Sequence, residues 1–266
     1  MKESTLLFFC LIILVSQVVI AQSESWKMVW SDEFNYYGLP NQRKWNFDTI
    51  GNSYGWGNNE AQWYPYANPR NAFVSNGTLK IKAIREKISG KNYSSARLTT
   101  KHKGDWTYCK IEVRAKLPGG RGTWPAIWML PTDFKYGDWP KSGEIDIMEH
   151  VGSDPDSILS TSHSEAYNHS IGTQVGNTIF LPEAITTFHV FSFEWDAKEW
   201  RSYVDGKQYF SYKNDGSGSA VWPYDQPFHL ILNLAIGGGL GGRKGIDDNQ
   251  FPHVFEIDYV RVYQKK

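Results

Sequence analysis

A chain of 266 residues with 28 Lys and Arg against 28 Asp and Glu carries no net charge at neutral pH. That balance gives no electrostatic hold on nucleic acid, an anionic membrane surface or a polyanion, each of which is bound through an excess of basic side chains. The 12 Trp, 15 Tyr and 14 Phe are instead a large stock of flat, partly apolar surface, suited to a core or to a ligand with apolar faces.

Met1-Lys2, the apolar run from Leu6 to Ile20 and the small residue Ala21 predict a secretory signal peptide, residues 1–21, cleaved near Ala21. The apolar run is shorter than the roughly 20 residues a membrane-spanning helix needs, so no anchor is expected. Cleavage would give a secreted or periplasmic protein and remove Cys10, leaving Cys109 with no disulfide partner. An exported fold without a disulfide relies on its core or on a metal ion.

Residues 25–34 predict a strand and Gly38-Leu-Pro-Asn41 a turn. Residues 52–66 show neither a helical nor a strand period and read as a long ordered loop, dense in Trp56, Trp63 and Tyr64. Strands follow over 77–83, 96–101, 107–116, 124–130, 160–164, 189–195, 200–204, 228–236 and 255–263, some separated by turns such as Asp205-Gly206. A short turn near 182–186 is the one hint of helical period. This is the pattern of an all-β sandwich or jelly roll. With no repeat or linker, residues 22–266 are expected to form a single domain, and a monomer.

In residues 124–130, alternation puts Trp124, Ala126 and Trp128 on one face and Pro125, Ile127 and Met129 on the other. Two indoles about 13 Å apart along a strand, at roughly 3.3 Å per residue, suit two sugar rings of one chain, or a core. Gly237-Gly-Gly-Leu-Gly-Gly242 satisfies the spacing of a dinucleotide-binding turn, but no helix pattern or βαβ unit follows, so a flexible rim loop is expected. His150, His163 and His169 match no zinc spacing.

The run Glu144-Ile-Asp-Ile-Met-Glu149 places three carboxylates on one predicted strand. Strict alternation would point Glu144 and Asp146 outward with Ile145 and Ile147 inward, and would bury Glu149. One extra residue at Met148, accommodated as a β-bulge, returns Glu149 to the acidic face. Crowded carboxylates keep one member protonated, and a neutral acid beside a carboxylate is the equipment for glycoside hydrolysis, with the two groups roughly 5–5.5 Å apart in the retaining form.

This run resembles the active-site motif of glycoside hydrolase family 16, in the bulged form of laminarinases and related β-glucanases. Trp30-Ser-Asp-Glu-Phe34, Gly57-Asn-Asn-Glu60, Trp124-Pro-Ala-Ile-Trp-Met-Leu130, Asn233-Leu-Ala-Ile-Gly-Gly238 and Asp258-Tyr-Val-Arg-Val-Tyr263 match family patterns in order. The resemblance implies a β-jelly roll of two antiparallel sheets with a concave cleft, and a retaining endo-β-glucanase acting on β-1,3-glucan, mixed-linkage β-1,3/1,4-glucan, or both. It implies Glu144 as nucleophile, Asp146 as the residue that tunes it, and Glu149 as general acid and base. It places Trp124, Trp128, Asn59, Arg97 and His163 along the substrate cleft, His163 with a structural role as the alternative. No cofactor is implied for catalysis; a structural calcium is, at Glu33, the Gly77 carbonyl and Asp258. Ser153 departs from the pattern, which usually has a larger side chain there. The rival readings are a non-catalytic β-glucan-binding lectin-like module, and a hydrolase or transglycosylase acting on another polysaccharide such as a galactan.

Overall fold

The computed structural model describes residues 25–266; the expected signal peptide, its cleavage near Ala21 and Cys10 lie outside the described residues. Two sheets stack face to face. One runs, edge to edge, Lys207–Lys213, Glu199–Val204, His189–Trp195, Lys110–Lys116, His253–Lys265, Thr78–Ile88, Lys91–Ser94 and Gln62–Trp63. Trp26–Asp32 also pairs with His253–Lys265, and Ala72–Ser75 with Thr78–Ile88. The other sheet runs Val175–Phe180, Ser157–His163, Glu144–His150, Thr123–Pro131, Phe228–Ile236, Arg97–Thr99 and Asn46–Phe47, with Asp105–Trp106 on Phe228–Ile236. Pairing is antiparallel apart from Gln62–Trp63 on Lys91–Ser94. The expected all-β sandwich is therefore the observed architecture.

The inward faces supply one core. Ile127, Met129, Ile145, Ile147 and Met148 from the second sheet are buried with Ile111, Val113, Phe191, Phe193, Phe255 and Ile257 from the first. Burying one such side chain is worth about 1.5–3 kcal/mol. Trp45, Trp195 and Trp200 are fully buried, so much of the aromatic stock is core. Phe228–Ile236 is buried along its whole length, because paired strands flank it on both sides. Cys109 is buried and free, and burial pushes its thiol well up. Among the described residues, no helix is long and apolar enough to cross a membrane.

Apart from two-residue strands, four stretches not read as strands are strands: Ala72–Ser75, Lys91–Ser94, Val175–Phe180 and Lys207–Lys213. The 52–66 loop contains a 3-10 segment, Ile50–Gly57, and the two-residue strand Gln62–Trp63. The glycine run is not a flexible rim. Gly238–Gly241 forms a single helical turn packed on the Trp124 ring. A Cβ at Gly238, where φ is +70°, would stand 3.2 Å from the Asn58 carbonyl oxygen and 3.3 Å from Trp124 Cζ3, so glycine permits that approach.

Candidate active site

Glu144–His150 pairs on one side with Thr123–Pro131 and on the other with Ser157–His163. Asp146 lies opposite Thr161 and Glu149 opposite Leu159, so two residues, Ile147 and Met148, face the single Ser160. This is the expected bulge, and both of its side chains are in the core. It is held from outside: Tyr209 Oη donates to the Ile147 carbonyl at 2.5 Å and Ser160 Oγ to the Asp146 carbonyl at 2.7 Å.

The three carboxylates share one face. Each outer acid accepts a hydrogen bond from an indole: Trp139 Nε1 donates to Glu144 Oε2 at 2.7 Å, and Trp124 Nε1 to Glu149 Oε1 at 3.0 Å. Asp146, 2% exposed, sits between them. Burial first, then the charge and hydrogen bond of Glu144, push its carboxyl well above the usual carboxylate range. Burial and the charges of Asp146 and Glu144 push Glu149 up to about 8, against a lowering by His163 and the Trp124 N–H. His163 Nε2 stands 3.2 Å from Asp146 Oδ2, at ion-pair distance but without hydrogen-bond alignment. His163 is 5% exposed and faces Asp146.

Glu144 opens onto a cleft of about 840 Å³, at the upper end of typical ligand pockets. Trp128, Arg97 and, from the 3-10 segment, Trp56 are among the residues that line it. The Arg97 guanidinium lies 4.5 Å from the Trp56 ring centre and 4.6 Å from that of Trp128, with Nε 3.0 Å from Asp48 Oδ2. One face of Trp128 is thus covered by Arg97. Its N–H donates to Asn233 Oδ1 at 2.7 Å, and Asn233 Nδ2 to Tyr64 Oη at 3.3 Å. Trp124 and Trp128 are half-buried and outside the core cluster. Asn59 is exposed at φ +56°, and it is Asn58 that lines the cleft, because the chain reverses between them. Beyond Glu149, Ser153, Leu159, Leu240 and Lys244 line a second pocket of about 170 Å³.

Trp139 was not singled out from the sequence, His169 was weighed only as a zinc ligand and Asn233 only as part of a matched motif. Trp139 stands five residues before Glu144, a spacing with no strand or helix meaning. The calcium residues are engaged elsewhere: Arg261 donates to both oxygens of Glu33, at 3.0 and 2.8 Å, and Arg114 pairs with Asp258. Gly77 is in a turn at φ +76°. As arranged, both carboxylates are neutralised by guanidinium and do not fit a cation without displacing it. Glu144, Asp146 and His163 offer ligand atoms within 4.8 Å of one another. Asp146 is held toward its acid form there and one Glu144 oxygen is taken by Trp139, a donor set arranged for protons.

A two-sheet sandwich with paired carboxylates beside an aromatic cleft defines a glycosidase. The chain belongs to glycoside hydrolase family 16, whose model matches residues 59–261. It is 51% identical to a β-glucanase of Rhodothermus marinus over 90% of this chain and 85% of that protein. The laminarinase structure from the same organism superposes with a TM-score of 0.90 at 49% identity, covering 92% of this chain and all of that one. A non-specific endo-β-1,3(4)-glucanase superposes at 0.87 with 46% identity, over 91% of this chain and 92% of that one.

Proposed function

We propose that this chain is a secreted retaining endo-β-glucanase, hydrolysing β-1,3-glucan, mixed-linkage β-1,3/1,4-glucan, or both, by double displacement. The observation that carries this is the placement of Glu144 and Glu149 on either side of a bulge, on one face, each held by an indole N–H. Glu144 attacks the anomeric carbon while Glu149 gives its proton to the departing glycosidic oxygen. The ester at Glu144 is then cleaved by water, which Glu149 deprotonates, and the two inversions give net retention. Asp146, neutral through burial, donates to the Glu144 carboxylate and offsets charge as the ester forms and breaks. No cofactor takes part.

Trp128, Arg97 and Asn58 line the side of the cleft that holds the non-reducing sugars, and Trp124 lies on the leaving-group side. A lectin-like module gains nothing from three crowded acids, whose burial is costly. The zero net charge of the whole chain favours a neutral glucan over a sulfated galactan. The protein acts as a monomer, without nucleic acid or membrane as partner.

The test of the roles is azide rescue on an activated aryl β-glycoside. Glu149→Ala with azide should give the β-glycosyl azide and Glu144→Ala the α product; the reverse stereochemistry would exchange the two. Sizing the oligosaccharides released from laminarin, from mixed-linkage glucan and from a galactan separates the substrate alternatives. A structural calcium at Glu33, Gly77 and Asp258 enters this reading as a competitor of Arg261 and Arg114, binding only where it displaces them.

A further inference from the structure

The segment after Ser157–His163 brings His169 back over the catalytic row. Asn168, 3% exposed, fixes it there. Its side-chain Nδ2 donates to the carbonyls of Ser164 and Glu165 at 3.1 and 3.2 Å, and its Oδ1 accepts from Ser170 N at 3.1 Å. The next residue, His169, lies against the Trp139 indole, with ring centres 4.8 Å apart and planes at 35°. It also meets His163 edge-on at 5.1 Å and 87°. Trp139, from the connection before the catalytic strand, donates to Glu144 Oε2, and His163 abuts Asp146 Oδ2. The rings thus link both ends of the Glu144–Asp146 pair.

We propose that His169 is a positioning residue for the nucleophile, acting through Trp139. A half-buried indole at a cleft wall can turn about two side-chain bonds, and water competes for its acceptor. The His169 ring restricts that turning and shields one face of the indole. Partial desolvation and His163 push His169 below its ordinary range, against a raising by the Glu144 charge, which disfavours an imidazolium that would compete with the indole for Glu144. The sugar that Glu144 attacks must meet a carboxylate already aimed, and misplacement by about 1 Å can cost roughly a hundredfold in rate.

The inference rests on Glu144 being the nucleophile, and its test has one readout that does not. The indole N–H resonance of Trp139, assigned by its loss in Trp139→Phe, should lie downfield in the wild-type protein and move toward the free-indole position in His169→Ala and His169→Leu. His169→Phe, which keeps a flat ring, should retain it. On laminarin, His169→Ala and His169→Leu should lose about 10- to 100-fold in kcat with little change in KM, and His169→Phe should recover most of the loss. An unmoved indole resonance in a folded Leu variant, or a rise in KM alone, would overturn the proposal; the second would make His169 a direct sugar contact. If the alanine variant fails to fold, the Leu and Phe variants, of similar bulk, decide. A wild-type protein with no glucanase activity, but with the indole shift intact, would remove the proposed function and leave the Trp139–His169 coupling standing.

Discussion

Asp146 and Glu149 keep their protons in different settings. Asp146 is enclosed, with Glu144 and His163 against it, whereas Glu149 is only partly buried and holds the Trp124 N–H. Glu149→Gln should lower kcat on polysaccharide by about 10²- to 10⁴-fold, as loss of a general acid does, while oligosaccharide binding survives. Near-wild-type turnover would remove Glu149 from that role. The alkaline limb of kcat/KM should fall near pH 8, where Glu149 gives up its proton. Linkage adds a stability signature. A carboxyl raised above its unfolded value of 4.5 contributes stability below about that pH and loses it as pH rises toward about 8. The melting temperature of Glu149→Gln minus that of the wild type should therefore grow across this window; a flat difference would mean that Glu149 is not strained by burial. The three acids were legible in the sequence because alternation and one extra residue suffice to align them. Trp139 and His169 were not, since their meeting depends on two separate connections converging in space, which no local spacing encodes.

The bulge is the element on which the site turns. It spends two core side chains, Ile147 and Met148, against one residue of the neighbouring strand, and Tyr209 from the opposite sheet stabilises its carbonyl. Tyr209→Phe keeps the ring and removes the donor. It should cost about 1–3 kcal/mol for leaving a buried carbonyl unsatisfied and lower kcat further than that stability loss explains, because Glu149 follows the bulge. A variant that is destabilised but fully active would show that the bulge holds its shape unaided. Thr123–Pro131 was readable from alternation, since Ile127 and Met129 are core while Trp124 and Trp128 face out. Val175–Phe180 carried no such signal: it is an edge strand with no fully buried residue, and only Val175 and Ile179 pack, partly buried, against the core. Arg97 covers one face of Trp128, so a ligand there would have the remaining face and edge. Trp128→Ala should weaken oligosaccharide binding by about tenfold, about 1.4 kcal/mol. A large drop in melting temperature at unchanged affinity would assign Trp128 to the core instead.

At the scale of the molecule, the outer face opposite the cleft is crossed by ion pairs between distant segments, Glu33 with Arg261 and Arg114 with Asp258. Chelation of calcium should lower the melting temperature only if a cation has displaced these arginines. An unchanged melting curve, with no calcium by elemental analysis, would leave the ion pairs as the tie. The sandwich itself was legible because most strands are long and bounded by turns, but the strand order was not, since pairing is set by distant partners. Trp26 pairs with Lys265, and His253–Lys265 lies inside its sheet, between Lys110–Lys116 and Thr78–Ile88. On a ribosome, both halves of the first sheet therefore await a strand made only from residue 253 onward, and they expose unpaired edges until then. The chain cannot complete its core as it emerges. The first sheet closes in one late, non-local step, the slow kind, and until then its two halves have only their own hairpins to hold them.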